Sequence, residues 1–193
     1  MSKGRLEAFS DGVFAIIITI MVLELKAPHS PELESLRPLI PAILSYVLSF
    51  LYVGIYWNNH HHLLQAAMQV NGRILWANLH LLFWLSLVPF VTNWMGETHF
   101  GAWPVAFYGI VLIFAGTAYY FLTHSLIAHH SNESALAVAV GSDFKGKISL
   151  AIYAVGIPIS FVEAHVACAV YGGVAVIWLI PDRRIEKTLS ECD

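Results

Sequence analysis

Charged side chains are scarce in this sequence. Asp, Glu, Lys and Arg make up 12% of its 193 residues, about half the share found in an ordinary soluble domain. Hydrophobic residues make up 58%. A water-soluble chain this short could not hide so much apolar surface, whereas a lipid-facing chain does not have to. Cysteine is scarcer still. Cys168 lies in an apolar run and Cys192 at the C-terminus, so neither a disulfide framework nor a cysteine zinc site is expected. No internal repeat is visible, and no stretch has room for a separate soluble unit, so residues 1–193 read as one transmembrane domain. No small-residue cleavage site follows the first apolar run. That run is long enough to span a bilayer, so a cleavable signal is not expected. The formal net charge is −3, and no nucleic-acid partner is expected.

What the sequence does contain is apolar stretches. Four cover about 6–25, 39–57, 74–94 and 103–127. Two more share 148–180, with a turn near Glu163-Ala164-His165. A hydrocarbon core about 30 Å thick takes roughly 20 helical residues per crossing. The last region is therefore tight for two crossings, and two short helices around Pro158 and Glu163 are expected. The fold class is all-α, a multi-pass cell-membrane protein with six transmembrane helices. Six crossings place both termini on one side, together with Lys3, Arg5, Arg73, Lys145, Lys147, Arg183, Arg184 and Lys187. Only Lys26 and Arg37 fall on the other side, which predicts cytoplasmic termini. Residues 30–37 then read as a short extracellular helix or loop, and 131–147 as a cytoplasmic loop. Trp57, Trp76, Trp94, Trp103 and Trp178 sit near predicted helix ends, as interfacial anchors do.

The first stretch carries the most information. Asp11 lies more than a turn inside a lipid-spanning run, where a bare carboxylate is costly. It is expected to contact at least one of Arg5, Ser10, His60, His61, His62 or Asn78. Ile16, Thr19, Ile20 and Leu23 fall at i, i+3, i+4 and i+7, one face of a helix. Periodicity alone leaves that face open to lipid, to a core or to a pore. Glu24, at the far end, is either an ordinary solvated helix-end charge or a group that concentrates cations at a mouth.

The adjacent His60, His61 and His62 splay about 100° apart on a helix, so they cannot all ligate one metal. One or two of them are expected to face the bundle and pair with Asp11, Ser10 or Asn78. His124, His129 and His130 are explained by helix-end placement. No metal site and no catalytic residue is assigned. Two alternatives remain at this point. One is a proton-coupled transporter relaying through Asp11 and histidines, and the other is a membrane enzyme with a histidine-held metal.

The pattern Arg5-x-x-x-Phe9-Ser10-Asp11, followed by an isoleucine-rich helix with Thr19 at its centre, resembles the hallmark of the transmembrane protein 175 family. These are potassium channels of endosomes and lysosomes with single-repeat prokaryotic relatives. Further points of resemblance are Trp57 with the histidine block, Asn78 in the third stretch, and Pro89-Phe90 near its far end. The resemblance implies a homotetramer in the lipid bilayer, with a central pore lined by the first helix. It implies apolar constriction rings from Ile16, Ile20 and Leu23, a selectivity role for Thr19, and potassium as the permeant ion without a cofactor. Arg5, Phe9, Ser10 and Asp11 would anchor the pore helix through a polar network with Trp57, His60, His61 and Asn78. The chain has no Thr-Val-Gly-Tyr-Gly segment, so a carbonyl-lined filter is not expected.

Overall fold

A computed structural model describes residues 2–67, 69–130 and 143–179, and these residues are helical apart from short connections. Apolar chain in lipid must satisfy its own backbone N–H and C=O groups, and a helix does this within one segment. The helices are α1 (Lys3–Leu23), a 3-10 turn (Leu33–Leu39), α2 (Ile40–Gln65), α3 (Gly72–Ser86), α4 (Val88–Glu97), α5 (Ala102–His130), α6 (Phe144–Ser160) and α7 (Ala164–Leu179).

Four helical runs are long and apolar enough to cross a membrane. They are Lys3–Leu23, Leu33–Gln65, Gly72–Glu97 and Ala102–His129, with mean hydropathy between 1.8 and 2.0. The final pair, α6 and α7, has 17 and 16 residues. At 1.5 Å per residue each is roughly 25 Å long, and the two are joined by a turn over residues 161–163.

Three boundaries differ from the sequence reading. The second helix outlasts its apolar stretch of 39–57 and runs on through the histidine block as far as Gln65, because Leu63 and Leu64 beyond the histidines are buried core. The third stretch is not one helix. Pro89 has no N–H to give and crowds the carbonyl four residues back. The ladder breaks there, with Leu87 N bonding Trp84 O at 3.2 Å and α4 starting afresh with Pro89 in its first turn. The segment 144–147, expected in a loop, is the first turn of α6. The rest of that loop, 131–142, lies outside the described residues, as do Arg183, Arg184 and Lys187.

Cross-links fix which helix ends lie together. Lys3 Nζ donates to Gln65 O at 3.1 Å, and Asn71 bonds His129 at 3.1 Å. The start of α1, the end of α2, the start of α3 and the end of α5 thus share one end of the bundle. At the opposite end Lys26 pairs with Glu97 at 3.5 Å. Within the bundle α5 packs against α3 and α6, α2 against α4, and α6 against α7. Close approach needs small residues. A Cβ on Gly96 would lie 2.7 Å from Ala42 Cα, so the α2–α4 contact excludes any larger residue there.

The core is rich in tyrosine. Tyr52 touches Tyr108 and Tyr153, and Tyr171 touches both of those, with ring centroids 6.0–6.2 Å apart. Buried hydroxyls need partners. Tyr52 Oη donates to Tyr171 O at 2.6 Å, and Ser49 joins Tyr108 Oη at 3.1 Å and Thr92 Oγ1 at 2.6 Å.

Candidate functional site

The first helix is buried on one side only. Leu6, Ser10, Phe14, Ile17 and Met21 recur at i+4, i+4, i+3 and i+4 and are the buried positions. They form a single stripe, which faces α2, α3 and α4. The opposite stripe is uncovered in the subunit. Phe9 is 51% exposed, Ile16 59%, Ile20 42% and Leu23 74%, and Arg5, Gly12 and Thr19 are exposed with them. Stepping back by four from Ile16 leads to Gly12, a position that the reading of the motif passed over.

Thr19 has a specific chemistry on this face. Its Oγ1 donates to Ala15 O at 2.7 Å. A hydroxyl has one hydrogen and two lone pairs. The hydrogen is spent on the helix, so the oxygen presents acceptor density outward.

Ser10, the one buried residue of the motif, holds the helix from its covered side. Ser10 Oγ donates to Leu6 O at 2.9 Å. Its only hydrogen is thereby used, so it must accept from Asn78 Nδ2 at 3.0 Å. This orients the Asn78 amide and turns its oxygen toward His60, whose Nε2 lies 2.7 Å away. An amide oxygen only accepts, so His60 carries its proton on Nε2. The result is a directed chain, His60 to Asn78 to Ser10 to Leu6 O, joining α2, α3 and α1. All three polar side chains are at most 1% exposed, and the imidazole packs on Phe14 with centroids 5.6 Å apart. A helix pinned by a fully paired buried network has a fixed rotation about its axis.

Asp11 does not join this chain, contrary to expectation. Successive helical residues point about 100° apart, so when Ser10 faces α3, Asp11 faces α2. Its hydrogen-bond partner is Trp57, whose Nε1 donates to Oδ1 at 2.9 Å, rather than Arg5, Ser10, a histidine or Asn78. The pair sits at the rim of the subunit, Trp57 being 44% exposed. His61 stacks on Trp57, with centroids 6.0 Å apart and planes 24° apart. The three histidines therefore divide: His60 points inward, His61 lies with Trp57, and His62 sits against His61 at 5.7 Å. Arg5 forms no ion pair among the described residues. Lys3 does, with Glu7 at 3.8 Å, and with its bond to Gln65 it ties α1 to the end of α2. The sequence reading had counted Lys3 only as a topology signal. Glu24 caps the other end of α1 and lines a shallow pocket with Tyr46, Pro89 and Asn93. Among the described residues no three His, Cys, Asp or Glu side chains are grouped to hold one metal.

The family model for the endosomal/lysosomal potassium channel TMEM175 matches residues 5–89, which span α1 to the start of α4. A potassium channel of Chryseobacterium sp. (strain P1-3) is 58% identical over 191 residues, covering 99% of this chain and 100% of that one. A potassium channel of Streptomyces collinus is 31% identical over 193 residues, covering 91% of each. Among solved structures, the crystal structure of a lysosomal potassium-selective channel TMEM175 homolog from Chamaesiphon minutus superposes with a TM-score of 0.78 at 26% identity. That match covers 92% of this chain and 96% of the other.

Proposed function

We propose, from the premise that this chain belongs to the TMEM175 channel family, that it is a potassium-selective channel conducting passively across the membrane. It is not an enzyme. Six crossings per subunit would place both termini in the cytoplasm of a cell-membrane protein. Four copies would surround an axis lined by α1. The stripe of Ile16, Ile20 and Leu23 then forms stacked apolar rings, with a ring of Thr19 oxygens between them.

The observation that carries this reading is the division of α1 into two faces. Its polar anchors turn inward onto their own subunit. Its outward face is an isoleucine and leucine stripe broken by one hydroxyl whose hydrogen is already spent. A narrow apolar ring offers an ion no ligands and sheds water, and conduction resumes when it widens enough to admit a partly hydrated ion. Potassium gives up hydration more readily than sodium, which biases such a barrier toward potassium. The Thr19 oxygens can replace part of the lost shell, because a cation needs the acceptor side of a hydroxyl and that side faces out. Glu24, near the outer end, would raise the local cation concentration.

The test is flux into liposomes loaded with potassium or sodium. The wild-type protein should pass potassium in preference to sodium. Ile16→Asn keeps similar bulk and adds donors and acceptors, so it should hold water in the ring, raise flux about tenfold or more and weaken the preference. Unchanged flux and ion preference in a tetramer of verified size would remove this face from the pore.

A further inference from the structure

A cavity lies inside the subunit, away from the exposed face of α1, between α2, α5, α6 and α7. Its empty volume is about 560 Å³, a figure that includes the open space at its mouth. Aromatic rings dominate its wall: Tyr52, Tyr56, Tyr119, Tyr120, Tyr153 and Trp178. Asp143, the residue preceding α6, is its sole charged lining residue among the described residues.

The polarity of the wall is one-sided. Tyr52 Oη donates to Tyr171 O at 2.6 Å and Tyr119 Oη to Asn59 O at 3.3 Å. Asn59 Nδ2 donates to Ile55 O at 2.8 Å. Ser149 Oγ donates to Lys145 O at 2.7 Å and receives Trp178 Nε1 at 2.9 Å. The Tyr52, Tyr119, Ser149 and Trp178 donors are thus engaged by the protein, and so is one of the two Asn59 N–H groups. Among the described residues the lining offers a guest mostly aromatic rings and oxygen lone pairs, with one carboxylate and no cationic side chain.

The backbone around Asp143 is arranged to present that carboxylate. Its φ of 43° and ψ of 44° are left-handed, a conformation that costs most side chains about 1–2 kcal/mol and that Asp and Asn tolerate best. One carboxylate oxygen accepts from Gly146 N at 3.3 Å. A Cβ on Gly146 would lie 2.6 Å from the carboxylate, so the glycine clears its place. Burial lifts the Asp143 pKa above its ordinary value, opposed by the Gly146 amide, His124 and Lys147.

We propose that this cavity binds a small organic ammonium ion, its positive charge against Asp143 and its alkyl body against the tyrosine rings. Rings attract cations through their negative faces, and quaternary ammonium groups are the guests that aromatic cages suit best. A bare metal cation would meet one carboxylate in a wall that is mostly aromatic carbon. The site is separate from the proposed pore and does not depend on it.

The experiment is calorimetric titration of the purified wild-type protein with tetramethylammonium chloride, with potassium chloride at equal ionic strength as the control. Saturable binding near one ion per subunit is expected, with potassium competing at least tenfold more weakly. Asp143→Asn keeps the residue type that caps helices and accepts left-handed backbone, and removes only the charge. It should weaken binding at least tenfold while the melting temperature does not fall. Tyr56→Leu, which removes one ring, should weaken it severalfold. Absence of saturable binding, equal competition by potassium, or undiminished affinity in Asp143→Asn would each overturn the assignment.

Discussion

The directed chain from His60 through Asn78 to Ser10 predicts a particular pattern of coupling. Asn78→Leu removes both of its hydrogen bonds while keeping the branched shape of the side chain. Ser10 keeps its donor bond to Leu6 O and loses only an incoming donor, which is cheap. His60 is left with a buried, unpartnered Nε2–H, which costs about 1–3 kcal/mol. His60→Leu strands the Asn78 oxygen in the same way, at a similar cost of about 1–3 kcal/mol. The double variant strands neither, because both partners of the 2.7 Å contact have gone. Its destabilisation should therefore fall short of the sum of the singles. Hydrogen bonds within membranes average about 0.6 kcal/mol in such cycles and reach about 1.7. A fully buried, directionally fixed pair belongs at the upper end, so a coupling of about 1–2 kcal/mol is expected. Equilibrium unfolding of the detergent-solubilised protein, followed by far-ultraviolet circular dichroism across the four proteins of the cycle, measures it. Additivity within about 0.5 kcal/mol would show that these side chains do not act as a pair, and the inferred proton position on His60 would fall with it.

Three further outcomes follow from the same geometry. Trp57→Phe removes one exposed, charge-assisted bond to Asp11 and should cost less than about 1 kcal/mol, so Asn78→Leu must exceed it in the same melts. Thr19→Val deletes the outward oxygen at similar volume and should reduce the potassium-over-sodium flux ratio severalfold without changing oligomer size on a gel-filtration column. Burial raises the Asp143 pKa in the folded protein, so its contribution to stability is most favourable below its unfolded value and declines as pH rises through the interval up to the folded one. Above that interval the penalty is constant, and Asp143→Asn should melt at a slightly higher temperature than wild type at neutral pH, with the difference vanishing in acid.

Helix content and the turn after α6 were legible in the sequence because long apolar runs and a Glu163-Ala164-His165 interruption are signals of composition. The end of α2 was not. Hydropathy falls sharply over Asn58 to His62, yet Leu63 and Leu64 continue the buried stripe, and the stripe rather than the average decides where a helix stops. The break between α3 and α4 was marked by Pro89, whose missing N–H acts on the carbonyl ladder without changing the hydropathy. The anchoring residues could be named from the motif, but their pairing depends on how α1 is rotated against two neighbours at once. The 100° between Ser10 and Asp11 was enough to show that they must serve different helices. Choosing α3 for one and α2 for the other needed the packed bundle.

The direction of the chain behind α1 has a consequence for protons. A string of histidine, hydroxyl and carbonyl groups resembles a proton wire, since imidazole and hydroxyl can each take up a proton at one atom and release one at another. Here the middle link is an amide. For a proton to pass from His60 to Ser10, Asn78 would have to accept on its oxygen and surrender one from its nitrogen, leaving the high-energy imidic acid tautomer. The last link is the carbonyl of Leu6, which can only accept. The chain is thus an insulator built from groups that would otherwise relay, and α1 is held by polar side chains that open no path for hydrogen ions along its buried side.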